Sequence, residues 1–175
     1  NDEAYLDVPF TNNLQKMQQG LARIDSRGGT AMRDAINMSI DYVKSEAKKD
    51  KKVLLIITDG NDNASNTSLE RVVERANQSE ILIYAIGLLG DEERHEAARA
   101  KRALKELTST SGGVVYYPKD VTEVNDLALD IARDIRSQYT LAYTPTQADD
   151  GSYRQIKVTV DGPGHPIVRT RSGYY

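Results

Sequence analysis

Two oxygen donors stand out. Thr30 follows Gly28-Gly29 at the start of a helical pattern, and Asp59 follows the most apolar run of the chain, in Thr58-Asp59-Gly60-Asn61-Asp62-Asn63. A hydroxyl on a flexible turn lies beside the unpaired backbone donors of a helix N-terminus. A carboxylate just past a buried strand lies where parallel α/β sheets gather ligands. As hard donors the pair suits Mg²⁺ or Mn²⁺, with water filling the remaining positions. Each has a purely local reading beside this one. Thr30 is a good helix N-cap, and Asp59-Gly60 is an ordinary turn after a strand. Asp62 and Asn63 read as Asx-turn residues rather than ligands.

Other chemistry finds little support. With two histidines and no cysteine, zinc chemistry and a cysteine nucleophile are disfavoured. His95, among Glu92, Glu93, Arg94 and Glu96, reads as a solvated helix residue, and His165, between Gly164 and Pro166, as a turn residue. No nucleophile elbow, phosphate-binding loop or dinucleotide fingerprint is present. The alternatives are a Mg-dependent phosphoryl-transfer enzyme, suggested by Asp59 and Asp62, and a structural domain without metal binding. The fit to the enzyme is poor, because both Gly60 and Asn61 intervene and no Lys or Arg motif for a transferred phosphate is apparent. Tyr139, Tyr143, Tyr153, Tyr174 and Tyr175 suit a recognition surface, although packing within their own segment is the simpler reading for most of them.

The elements that must position these residues alternate between helical and strand-like periods, the pattern of a mostly parallel α/β sheet. An opening strand is expected over Ala4 to Phe10. A short amphipathic helix follows on Leu14, Met17, Leu21 and Ile24, ended by Arg27-Gly28-Gly29. From Thr30 to about Lys49 a longer helix carries the stripe Met32, Ile36, Ile40, Val43 and Ala47. Val53 to Ile57 lacks polar alternation, as a central strand covered on both faces does. Thr67-Ser68-Leu69-Glu70 matches a capping box for a helix burying Leu69, Val72, Val73 and Ala76. A strand over Ile81 to Leu88 follows, then a helix on Ala97, Ala100, Leu104 and Leu107, a stop at Gly112-Gly113 and a strand from Val114 to Tyr117. The last helix, capped by Asp120 and Glu123, turns Val124, Leu127, Ile131 and Ile135 inward. From Gln138 the alternation of Tyr139, Leu141 and Tyr143, and of Ile156, Val158 and Val160, predicts an antiparallel β appendage, with turns at Asp149-Asp150-Gly151 and Gly162-Pro163-Gly164 and a final run at Ile167-Val168. The expected division is 1–137 for the α/β domain and 138–175 for the appendage packed on it.

Size and charge bound the answer. A chain of 175 residues suffices for one core. Its 23 basic and 26 acidic residues are spread evenly, so neither nucleic acid nor an anionic membrane is the expected partner. No apolar run reaches the ~18 residues that span a bilayer, and Asn1-Asp2-Glu3 does not open a secretory signal.

Gly28-Gly29-Thr30 leading into Ala31-Met32-Arg33-Asp34-Ala35-Ile36, then Ile57-Thr58-Asp59-Gly60, then Ile83-Tyr84-Ala85-Ile86-Gly87, resembles the von Willebrand factor type A fold. The ending, from Tyr139 to Pro145 and from Val168 to Tyr175, is similar to a bacterial, acidobacterial-type branch of that family. The resemblance implies a Rossmann-like sheet with helices on both faces. It further implies a non-catalytic, metal-ion-dependent adhesion site, in which an Asp-x-Ser-x-Ser loop, a threonine and a later aspartate surround a divalent cation completed by an Asp or Glu of a protein partner. Matched by position, the threonine is Thr30 and the aspartate Asp59. No Asp-x-Ser-x-Ser stretch occurs in the chain. The expectation is therefore a domain entered after its first two strands and first helix, with Ala4 to Thr11 as its antiparallel edge strand. Such a chain binds little metal alone and invites a second polypeptide onto a bared sheet edge. The resemblance also implies an extracytoplasmic location.

Overall fold

The computed structural model describes residues 1–23, 28–89, 94–146, 150–164 and 166–174. Its centre is a parallel sheet of β1 (Lys52–Thr58), β2 (Ile81–Gly87) and β3 (Val115–Tyr116), in that order. Lys52 stands opposite Ile81 and Thr58 opposite Gly87, while Ala85 pairs with Val115 across the other edge of β2. Two helices make the crossovers, α3 (Leu69–Gln78) and α4 (Arg94–Ser111). Three more complete the α-helices of the described residues: α1 (Leu14–Leu21), α2 (Met32–Glu46) and α5 (Val124–Arg136), the last entered through a 3-10 turn at Val121–Glu123.

Alternation along β2 divides the interior in two, because successive strand side chains point to opposite faces. Ile81, Ile83 and Ala85 meet Ile36 and Ile40 of α2, Val72 and Ala76 of α3, and Leu104 and Leu107 of α4. Tyr84 and Ile86 meet Ile131 of α5, ringed by the half-buried Val53, Leu82, Tyr116, Val124, Leu127 and Ile135. Helices thus cover both faces. The return from α4 is held by Ser111, whose Oγ accepts from the Ile83 N–H at 2.9 Å. Gly113 lies so close to the Ile83 carbonyl that any Cβ there would collide with it, which is why the turn needs glycine at that point.

Several expectations need correction. β1 is not covered on both faces. Within the described sheet it is an edge strand, and Leu55 and Ile57 are 41% and 57% exposed on the side away from α2. An apolar run calls for cover on both sides, but on the second face of β1 only Val53 packs against the Tyr84, Ile86 and Ile131 cluster, among the described residues. Residues 4–10 form no strand, because a period of two needs a ladder partner and no described strand pairs with them. The segment is instead tied to α2, with the Phe10 N–H donating to the Tyr42 hydroxyl at 3.0 Å and the two rings 4.9 Å apart. Leu14, Met17 and Leu21 of α1 are exposed, and only Gly20 is buried, against Val8. Ile24 and Arg27 lie outside the described residues.

Beyond α5 the antiparallel β is far smaller than the alternation suggests. A two-stranded ladder pairs Arg154 with Tyr174 and Gln155 with Gly173. The runs at Tyr139 to Tyr143, Ile156 to Val160 and Ile167-Val168 are irregular, and Tyr139 is 93% exposed. The tyrosines therefore do not form a packed core. Tyr143 donates to the Tyr174 hydroxyl at 2.8 Å, and Tyr153 bonds Ser172 at 2.8 Å. Asp149, His165 and Tyr175 lie outside the described residues. The ladder is fastened to the helices by Arg171 donating to the Asn77 carbonyl at 2.9 Å and by the Ser172 N–H donating to Thr110 at 3.2 Å.

Leu104 has no exposed surface, so Leu104→Ala is expected to destabilise the fold by roughly 2–5 kcal/mol, whereas Ile57→Ala on the uncovered face should stay within about 1 kcal/mol. Urea unfolding midpoints of the two variants check the contrast, and equal losses would contradict this assignment of inside and outside.

Candidate functional site

β1 ends in a turn closed by its own last residue. Thr58 is buried, and its hydroxyl donates to the Gly60 carbonyl at 3.1 Å and accepts from the Gly60 N–H at 3.3 Å. The Thr58 carbonyl accepts from Leu88 N–H at 2.8 Å, so the strand is held to its neighbour up to this point. Asp59 comes next. Its side chain is exposed and makes no hydrogen bond or ion pair among the described residues.

The loop after Asp59 then crosses to the start of α2. The Asn63 carboxamide oxygen accepts from the Thr30 N–H at 2.7 Å, and the Thr30 carbonyl accepts from Asn63 and Ala64 N–H at 3.1 and 3.3 Å. The structure therefore fastens the turn carrying Thr30 to the loop that carries Asp59. Thr30 is not the helix cap its sequence context allows. Ala31 occupies the N-cap position and makes no side-chain cap. The orphan N–H groups of α2 are satisfied from the β1 loop: Arg33 N–H donates to Asp62 at 2.7 Å and Asp34 N–H to the Ser65 hydroxyl at 3.1 Å. Capping from another segment leaves the Thr30 hydroxyl with no hydrogen bond among the described residues.

The same contacts set the electrostatics. Asp62 is 6% exposed and pairs with the Arg33 guanidinium at 2.7 Å, while accepting from the Ser65 hydroxyl at 2.6 Å and its N–H at 3.3 Å. Burial works against ionisation of Asp62, but the donors on Arg33 and Ser65 outweigh it and hold the carboxyl below its ordinary range. The reciprocal bond raises the pKa of Arg33. Asp34 is also held low, by hydrogen bonds from Thr67 and from the Asn66 N–H. Arg33, Asp34 and Ser65 were not singled out in the sequence. The one available signal was an acidic residue in the first turn of a helix. Asp62 does make the expected Asx-type bond to Ser65, and Asn63 uses its side chain to fix Thr30. The helix at Leu69 is capped by Ser68, which accepts from Arg71 N–H at 3.3 Å, not by Thr67. His95 lies exposed on α4, as expected.

A divalent cation of the Mg²⁺ type needs oxygen donors that are not already engaged. Thr30 and Asp59 meet that condition, and Asp62, Asp34 and Asn63 do not. Among the described residues no group of three or more His, Cys, Asp or Glu could hold a metal. Thr30 and Asp59 have the donor chemistry such an ion takes, one as a hydroxyl and the other as a carboxylate.

The family model for the von Willebrand factor type A domain matches residues 1–130. The chain belongs to that family. Integrin alpha-11 of Homo sapiens is 32% identical over 84 residues, which is 45% of this chain and 7% of that protein, and integrin alpha-11 of Mus musculus matches to the same extent. The chain thus spans only 7% of the length of these curated relatives. Among solved structures, a von Willebrand factor type A protein from Catenulispora acidiphila superposes with a TM-score of 0.53 at 20% identity, over 69% of this chain and 26% of that one. The conserved hypothetical protein BatB from Bacteroides thetaiotaomicron gives 0.55 at 14% identity, over 77% and 75%. At these identities the two structures speak for the fold alone.

Removing Asp62 would leave the guanidinium and helix N–H of Arg33, and the N–H and hydroxyl of Ser65, without their acceptor. Asp62→Ala is expected to cost about 2–3 kcal/mol in denaturant unfolding. Because the Asp62 pKa is lowered on folding, its contribution is complete above the ordinary carboxylate pKa of about 4 and is lost as pH falls through the lower folded value. Asp62→Asn should accordingly show a smaller loss of stability on acidification than the wild type.

Proposed function

We propose that this chain forms part of a non-catalytic, metal-dependent protein-binding module, with Thr30 and Asp59 as oxygen ligands of Mg²⁺ or Mn²⁺. One observation carries the reading: of the polar side chains where the two loops meet, Thr30 and Asp59 are left uncommitted while Asp34, Asp62 and Asn63 are consumed in joining the loops. When bound, the ion supplies a Lewis-acidic position that an Asp or Glu of a partner protein completes. The protein's part is to hold two donors at fixed loop ends, so that selectivity for a carboxylate rests on an open coordination site rather than on a shaped pocket.

Family membership supports this reading, as does the uncovered edge of β1. A strand with unpaired backbone groups and exposed Leu55 and Ile57 suits an additional strand, from a second polypeptide or from elsewhere in a longer protein, and such a strand would bring further ligands to the site. We take residues 1–137 as the module and 138–175 as its appendage, acting outside the cytoplasm; among the described residues no helix is long and apolar enough to cross a membrane. A phosphoryl-transfer reading through Asp59 and Asp62 is disfavoured, because Asp62 is bound to Arg33 and Ser65 and has no free position for proton transfer.

Calorimetric titration of the full-length protein with Mg²⁺ is expected to show binding that Asp59→Ala removes. Undiminished affinity in the variant would reject the site, and phosphatase turnover lost in Asp59→Asn would favour the enzyme.

A further inference from the structure

The turn that presents Thr30 is held from two sides. On one side stands Asn63, bonded to the Thr30 N–H and carbonyl. On the other stands Asp2, whose carboxylate accepts from the Gly29 N–H at 2.6 Å, with the Asn1 carbonyl accepting from the Ala31 N–H at 2.9 Å. Three successive N–H groups, of residues 29, 30 and 31, therefore each meet a different acceptor from elsewhere in the chain.

The two glycines make this possible. Gly28 has φ +71°, and a Cβ there would collide with the Asp2 carboxylate; a Cβ at Gly29 would collide with the Asn63 side-chain oxygen. Three consecutive N–H groups at a helix start would otherwise form a concavity for an external anion. Here the protein fills it with its own carboxylate and carbonyls. What the turn still offers outward is the Thr30 hydroxyl.

We propose that Asp2 is a positioning residue for the metal site: its carboxylate locks the Gly28-Gly29 turn from the side opposite Asn63, and so fixes where the Thr30 hydroxyl stands. The inference rests on the assignment of Thr30 and Asp59 as ligands. Asp2 acts through the backbone of Gly29 and is not itself a ligand. Its hydrogen-bond acceptor, rather than its charge, is what the turn needs, so an asparagine in its place retains the function.

The experiment is Mn²⁺ titration of the full-length protein and its variants Asp2→Ala, Asp2→Asn and Asp59→Ala, together with amide exchange at Gly29 and metal-free melting temperatures. Loss of an outer partner commonly weakens metal binding 10–100-fold, so Asp2→Ala should weaken Mn²⁺ by about tenfold or more and speed Gly29 exchange. Asp2→Asn should restore most of both. Wild-type affinity in Asp2→Ala while Asp59→Ala abolishes binding would overturn the inference and leave the metal site standing. An equal loss in Asp2→Asn and Asp2→Ala would also overturn it, because charge would then be the cause. A lowered metal-free melting temperature with unchanged Mn²⁺ affinity would reduce Asp2 to a structural residue. Full affinity in Asp59→Ala would defeat the site itself.

Discussion

Arg33 and Asp62 meet across two loops that the sequence separates by a whole helix and strand, and the arrangement of the candidate site depends on that meeting. The start of α2 lacks a side-chain cap of its own, and the loop after β1 has backbone N–H groups at residues 66 and 67 to satisfy. Each supplies what the other lacks: Asp62 and Ser65 accept from the first N–H groups of α2, and Asp34 accepts from the backbone of residues 66 and 67. A half-satisfied network of this kind would be worse than none, because each buried polar group left alone costs about 1–3 kcal/mol. Here the carboxylate oxygens of Asp62 and Asp34 each accept from a donor across the loops, although the buried Arg33 Nε has no partner, and these bonds hold the turn that carries Thr30 to the loop that follows Asp59.

The consequence for function is a division of labour among chemically similar groups. Asp34 and Asp62 serve the scaffold, while Asp59, three residues before Asp62, makes no side-chain bond among the described residues. The structure assigns those jobs by which carboxylate finds N–H donors, not by residue type. The same logic applies to Thr30, whose hydroxyl would be spent on its own helix if Asp62 and Ser65 did not satisfy that helix first.

Much of the fold was legible because it follows from hydrophobic period alone. The stripe Met32, Ile36, Ile40 and Val43 and the unbroken run Ile81 to Gly87 occupy the interior as their spacing requires. Where a period needs a partner to mean anything, the reading failed. Tyr139, Leu141 and Tyr143 alternate like a strand but join no ladder among the described residues, and Leu14, Met17 and Leu21 form a helical stripe that faces outward. At the site, Thr30 and Asp59 were visible as types at telling places. The roles of Arg33, Asp34, Ser65 and Asp2 were not, because hydrogen bonds spanning 27 to 33 residues leave no local pattern.

If two separate loops share one cation, Mn²⁺ bound to the ¹⁵N-labelled full-length protein must broaden signals from both of them. The amide signals of residues 29–31 and 59–63 are expected to broaden together at substoichiometric Mn²⁺ and to recover when excess Mg²⁺ is added. Broadening confined to one of the two loops, or centred elsewhere in the molecule, would contradict a shared cation.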